Sequence, residues 1–166
     1  MRGDEHNFLG MNIKFKDKKV KISTEKHIHK ATNMFMDDIT MNEASSETSY
    51  SFKTREAAKL SEKKLENFHS VVESLLFVSR RCRLYIHTAV DFLCKKVVEP
   101  DKDEWKKLKC VLQYLRGTID LVLMLGADDI TKINSWVNAS YGIHSYCNIH
   151  TGGEISWGWG VLLSKC

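Results

Sequence analysis

Three groups in this chain have residue types and spacings that can do chemistry. Phe35-Met36-Asp37-Asp38 sets two adjacent carboxylates behind an aromatic residue, and on a tight hairpin such a pair can hold two Mg²⁺ ions for phosphoryl transfer. Asp128-Asp129 is a second acidic pair, and His144-x-x-Cys147-x-x-His150 has the ligand spacing seen in zinc sites. Context weighs against each. Asp37-Asp38 falls at the fading end of a short helix with a polar stretch behind it, so an exposed helix terminus is expected rather than a strand-turn-strand carboxylate site. Asp128-Asp129 reads as a solvated turn between two apolar runs. A closed tetrahedral zinc site needs a fourth ligand on a matching knuckle, and no second pair lies nearby. His27-x-His29 puts two imidazoles on different sides of a helix, which suits surface histidines. Gly152-Gly153 and Gly158-x-Gly160 lack the pattern of a phosphate cradle and read as turn glycines. No catalytic residue, metal ligand set or cofactor site is therefore expected in this chain, with metal binding at Asp128-Asp129 or at the His144-x-x-Cys147-x-x-His150 group left as the alternative.

Basic residues are the remaining chemical signal. Lys106, Lys107, Lys109 and Arg116 share one stretch, Arg80, Arg81 and Arg83 precede it, and Lys14, Lys16, Lys18, Lys19 and Lys21 crowd a short N-terminal segment. Both phosphate contact and the solvated faces of amphipathic elements account for them. The formal net charge of +4 is compatible with a polyanionic partner without requiring one. Hydrophobic residues make up 43% of the 166 residues, which argues for a packed core and against wholesale disorder. The five cysteines include no C-x-x-C pair, and Met1 to His6 begins no apolar run, so reduced thiols and an intracellular, cytoplasmic or nuclear location are expected. No window approaches the roughly 20 apolar residues of a membrane span.

The elements that position these residues follow from periodicity. Phe8 to Phe15 and Val20 to Ile22 alternate as two strands of a hairpin around a charged turn at Lys16 to Lys19. Ser23 or Thr24 caps a short helix with Ile28, Ala31, Met34 and Phe35 on one face. Asp38 to Leu60 turns to Ser, Thr, Glu and Lys and reads as a linker. Leu65, Phe68, Val72, Leu75, Leu76 and Ser79, then Leu84, Ala89, Val90, Leu93 and Val97, then Trp105, Leu108, Val111, Leu112 and Leu115 recur at helical spacing. The break between the second and third of these helices is Glu99-Pro100-Asp101, where Asp101 and Glu104 form a capping-box pair, and Gly117 is the expected stop. Ile119 to Leu125, Ile133 to Val137, and two segments around Gly158-Trp159-Gly160 read as strands.

In this order the motifs resemble a family. Phe8-Leu9-Gly10-Met11-x-Ile13, with Val20-Lys21-Ile22-Ser23 and the short helix, is similar to the segment after the catalytic turn in reverse transcriptases of Copia-type retrotransposons. Phe68 to Leu76, Arg83 to Phe92 and Tyr114-Leu115-Arg116-Gly117-Thr118 resemble the helical region that follows. Trp136-Val137-Asn138-Ala139-Ser140 and His150-Thr151-Gly152-Gly153 resemble the start of the attached RNase H domain. The resemblance implies an α+β chain in four parts. These are the end of the palm at 1–37 (hairpin plus helix), a linker at 38–60, a three-helix thumb or connection at 61–118, and a truncated, partial RNase H-like antiparallel sheet at 119–166. It further implies that Phe8, Leu9 and Gly10 position the primer strand while Lys106, Lys109 and Arg116 follow the backbone of an RNA/DNA template-primer. Other polyprotein segments are possible partners, and a membrane is not.

The departures are equally specific. The polymerase carboxylates of the family lie upstream of Phe-Leu-Gly, Arg83-Leu84-Tyr85-Ile86 replaces an Arg-Pro-Asp-Ile pattern, and Asn138 stands where the first RNase H carboxylate belongs. The intact family uses Mg²⁺, and a neutral amide cannot take that carboxylate's place. The expected function is a catalytically incomplete polyprotein fragment that contributes template-primer contacts. The alternatives are a small stand-alone nucleic-acid-binding module and a Mg²⁺-dependent nuclease that uses the neighbours of Asn138 or Asp128-Asp129.

Overall fold

The computed structural model describes residues 3–39, 57–126, 131–140, 150–157 and 160–165. It is an α+β chain whose apolar core lies among its helices. Strands β1 (Glu5–Phe8), β2 (Met11–Lys16) and β3 (Lys19–Ser23) form an antiparallel meander. The alternation predicts one hairpin with Phe8 to Phe15 as a single strand, but Leu9 (φ 50°) and Gly10 (φ 77°) bend the backbone into a two-residue turn and split it. Asp17 (φ 51°) and Lys18 (φ 57°) make the second turn, where the charged run predicts it.

Helix α1 (Glu25–Met34) follows, then α2 (Glu62–Arg81), a 3₁₀ turn (Leu84–Ile86), α3 (His87–Cys94) and α4 (Lys102–Gly117). Their apolar stripes meet as the spacing requires. Ile28 and Ala31 of α1 join Phe68, Val72 and Leu75 of α2, Val90 and Leu93 of α3, and Leu108, Leu112 and Leu115 of α4, all essentially solvent-free. At the start of α4, Asp101 Oδ1 accepts from the backbone N–H of Asp103 (2.6 Å) and Glu104 (3.2 Å), and Glu104 Oε2 accepts from Asp101 N–H (3.0 Å), completing the capping box. Asp101 Oδ2 also accepts from Ala57 N–H at 3.1 Å, so residues 57–60 of the expected linker are tied to this helix. Residues 40–56 lie outside the described set.

Asp37 is not the solvated helix terminus that its sequence context predicts. Trp105 Nε1 donates to Asp37 Oδ2 at 2.7 Å, Lys64 Nζ reaches Oδ1 at 3.0 Å, and Phe35 stacks on Trp105 at 4.5 Å between centroids. Donation from Trp105, then from Lys64, holds the Asp37 carboxyl below its usual range. A depressed folded-state pKa stabilises above the unfolded value, and that contribution is lost as pH falls through the folded value. Asp37→Asn is therefore expected to lower stability at pH 7 by about 1–2 kcal/mol and to flatten its pH dependence below about pH 4. Urea unfolding from pH 2.5 to 7 checks this, and parallel pH profiles for the two proteins would refute it.

After α4 the chain returns to the first sheet. Strand β4 (Leu123–Gly126) pairs antiparallel with β3, giving the order β1-β2-β3-β4. The sequence boundary at 118/119 thus does not coincide with a sheet boundary. Strands β5 (Ile133–Ser140), β6 (His150–Trp157) and β7 (Gly160–Lys165) make a separate antiparallel sheet. The two sheets touch where Gly160 lies against Leu125: a Cβ there would come within 2.9 Å of the Leu125 Cα, so only glycine lets the strands approach.

Candidate nucleic-acid interface

Register divides the four-stranded sheet into two chemically different faces. The rows His6–Ile13–Ile22–Leu123 and Phe15–Val20–Leu125 lie on one face. The rows Glu5–Lys14–Lys21–Met124, Asn12–Ser23 and Lys16–Lys19–Gly126 lie on the other. The cause is a strict period of two, apolar then polar, in both β2 and β3.

The Leu9-Gly10 turn closes one end of this sheet and is held by α1. His27 Nε2 lies 2.9 Å from the Leu9 carbonyl oxygen; a carbonyl only accepts, so Nε2 carries the proton. The imidazole packs on Phe77 of α2 with centroids 4.4 Å apart. A Cβ on Gly10 would lie 2.5 Å from His27 Nε2, so positive φ and imidazole contact both demand glycine there. With the turn fixed in this way, Phe8 (52% exposed) and Leu9 (61%) remain open to solvent. Sequence reasoning picked Phe8, Leu9 and Gly10, read His27 as a surface histidine, and passed over Phe77; the structure instead engages His27 with the Leu9 carbonyl and the Phe77 ring. Nothing in the spacing marks them, because the 10–27 contact arises only after the β2–β3 hairpin brings the chain back beside its own turn.

Beside the turn, a groove of about 360 Å³ runs between the polar sheet face, the start of α1 and the segment after α4, lined by Gly10, Asn12, Lys14, Lys21, Ser23, Glu25, Lys26, Ile119, Asp120 and Val122. Asn12 Nδ2 donates to Glu5 at 2.7 Å and Lys14 Nζ lies 3.2 Å from the same oxygen. These two donors hold the exposed Glu5 carboxyl below its usual range. Lys21 and Lys26 form no ion pair among the described residues.

Three members of the basic cluster around α4, Arg83, Lys107 and Arg116, are engaged by the fold, while Arg80, Arg81 and Lys106 are exposed. Arg83 is 1% exposed; its guanidinium donates to the Tyr85 hydroxyl (2.6 Å) and to the carbonyls of Thr118 (2.5 Å) and Ile119 (3.0 Å), tying the α2–α3 junction to the end of α4. Lys107 is 3% exposed and pairs with Asp103 at 2.9 Å. Arg116, at the surface, donates to the Ile39 carbonyl at 2.7 Å, and Lys109 adds to the positive field on Asp37. Lys106 is exposed. The residues expected to share one nucleic-acid path thus fall into two sets. Phe8–Gly10 meet the first turn of α1, whereas Lys109 and Arg116 face the chain beyond its other end, with a helix of about 15 Å between.

Asn138 stands where the resemblance implies a Mg²⁺-binding carboxylate. Asn138 is exposed on β5 opposite Gly152, and Glu154, opposite Trp136, is diagonal to it on the same face. One amide and one diagonal carboxylate do not make a divalent-cation cage, and no group of three His, Cys, Asp or Glu residues able to hold a metal occurs among the described residues. The residues present do not fit the ion. Asp128-Asp129, His144 and Cys147 lie outside the described residues, as does the side chain of His150. No helix among the described residues is long and apolar enough to cross a membrane.

Comparison with known proteins locates the chain in a broad class. Over 106 residues, 60% of its length, it is 31% identical to the retrovirus-related Pol polyprotein from transposon TNT 1-94 of Nicotiana tabacum. The chain spans 8% of that protein's length. No family model matches, and no solved structure matches. The similarity supports an origin as a segment of a retrotransposon polyprotein.

Proposed function

We propose that the chain is a segment of a Copia-type Pol polyprotein. In this reading it carries the end of the reverse-transcriptase palm at 1–37, a linker at 38–60, a helical thumb or connection at 61–118 and the opening strands of an RNase H fold within 119–166, where β4 adds to the palm sheet and β5 to β7 are the RNase H strands. Its role is to grip an RNA/DNA template-primer while chemistry is done by other segments. The observation that carries this reading is the Leu9-Gly10 turn, locked by His27 and Phe77 so that Phe8, on the apolar face, and Leu9 stay open to solvent at the end of a sheet whose polar face carries the lysine-lined groove. A rigid turn with two exposed apolar side chains positions a strand end without reading its sequence, and phosphate contacts supply the affinity. Asn138 in place of a carboxylate fits a binding role better than a nuclease role.

The test is fluorescence anisotropy of a labelled 20-base-pair RNA/DNA hybrid with the full chain. Binding that weakens steeply between 50 and 200 mM salt, by about tenfold or more, is expected. Phe8→Ala/Leu9→Ala is expected to weaken it further without loss of fold by circular dichroism. No binding at 50 mM salt would remove the nucleic-acid reading. A helical core continuous from α1 to α4 favours the second reading, a stand-alone binding module; an excised 24–118 segment that folds and binds as tightly as the whole chain would establish it.

A further inference from the structure

We propose that the lysine-bearing face of the β1–β4 sheet, running from the Leu9-Gly10 turn to Lys16 and Lys19, is the track for a nucleic-acid backbone, and that the exposed side of α4 is not. The proposal rests on the nucleic-acid reading above and names the surface that would do the work.

Two cross-strand pairs carry it. Lys14 is directly opposite Lys21, and Lys16 directly opposite Lys19, all on one face. Like charges in direct register destabilise a sheet. The four stems stand on a grid about 4.8 Å across strands and about 6.7 Å along them. A common reason for lysines on strands is to protect an edge from pairing with another chain, but β2 and β3 are the two inner strands of the order β1-β2-β3-β4. Apart from the Lys14–Glu5 contact, the four lysines form no ion pair among the described residues. Alternation calls only for polar residues here, and Asn12 and Ser23 in the neighbouring row show that neutral ones serve. Glu5 is the one carboxylate in the paired rows of this face, and it already engages Lys14 at 3.2 Å.

A polyanion resolves the conflict. Phosphates laid across the grid would neutralise both pairs and release their counterions. The groove leads there from Gly10 and adds Lys26, so that Lys14, Lys21 and Lys26 share it with the carboxylates Glu25 and Asp120. The backbone therefore leaves the fixed turn and passes along the inner strands. Helix α4 offers fewer open cations, because Lys107 is buried against Asp103 and Arg116 is engaged by Ile39, which leaves Lys106 and Lys109.

The slope of log K against log salt for the labelled hybrid, measured for the full chain and its variants, tests this. K14Q/K16Q/K19Q/K21Q is expected to reduce the slope by about 3–4 and the affinity at 100 mM salt by more than about tenfold, whereas K106Q/K109Q changes the slope by less than about one. The matching four-arginine variant is expected to keep the wild-type slope, which separates charge from structure. Glu5→Gln, by freeing Lys14, is expected to tighten binding a few-fold. Wild-type binding with a slope unchanged in the four-glutamine variant would overturn this proposal alone, and absence of wild-type binding would overturn it together with the reading beneath it.

Discussion

Lys107→Met is expected to destabilise the helical unit by about 3–5 kcal/mol, the largest single effect we anticipate for a charged residue in this chain. The ammonium lies 2.9 Å from Asp103 one turn earlier on α4 and 4.9 Å over the Phe92 ring, and both members of the pair are less than a tenth exposed. Removing the cation leaves a carboxylate in an environment that cannot hydrate it, and that uncompensated charge dominates the loss. Removing both charges is a different experiment. Asp103→Leu/Lys107→Met is expected to recover most of the stability, because two apolar side chains of similar volume avoid the desolvation that the pair bears. Urea unfolding of the two singles and the double gives the coupling directly. A Lys107→Met effect below about 1 kcal/mol would mean that the pair is hydrated after all.

Gly10→Ala is expected to lower stability by about 2 kcal/mol and, on the proposed nucleic-acid reading, to weaken binding at the turn. Two separate penalties add. Alanine resists the positive φ of 77°, and its Cβ would sit 2.5 Å from His27 Nε2, a ring pinned between the Leu9 carbonyl and Phe77. Either the imidazole leaves Leu9 or the turn opens. In a His27→Ala background only the backbone penalty remains, so the stability cost of Gly10→Ala is expected to shrink to about 1 kcal/mol. An equal cost in both backgrounds would show that the imidazole does not constrain the turn. Binding separates the two roles of His27. If it fixes the turn, His27→Ala lowers affinity for the hybrid without changing its salt slope, since no phosphate contact is lost.

Much of the scaffold was legible because it depends on local rules. The 3.6-residue recurrence of Phe68, Val72 and Leu75 and of Leu108, Leu112 and Leu115 defined two buried stripes before any packing was known. Asp101 and Glu104 announced a helix start that the backbone bonds bear out. The Lys16–Lys19 turn was visible as a charged break between alternating runs. The split of the first strand was not, because Leu9 is an ordinary strand residue that adopts a positive φ only beside Gly10. Nor was the return of β4 to the N-terminal sheet, which pairs residues about a hundred positions apart along the chain.

Charge was the least legible property. Lys14 and Lys107 are the same residue type on elements of comparable polarity, yet one lies on an open sheet face and the other is sealed inside a helix pair. Asp37 reads as a solvated end and is instead the acceptor that joins α1 to α2 and α4. By itself the sequence determined which residues are apolar, how often they recur and where helices start, since these follow from side-chain chemistry and backbone geometry over a few residues. Only the tertiary structure decided which cations are exposed and which glycine is indispensable. Burial, register and close approach are set by partners far along the chain, and no local rule contains them.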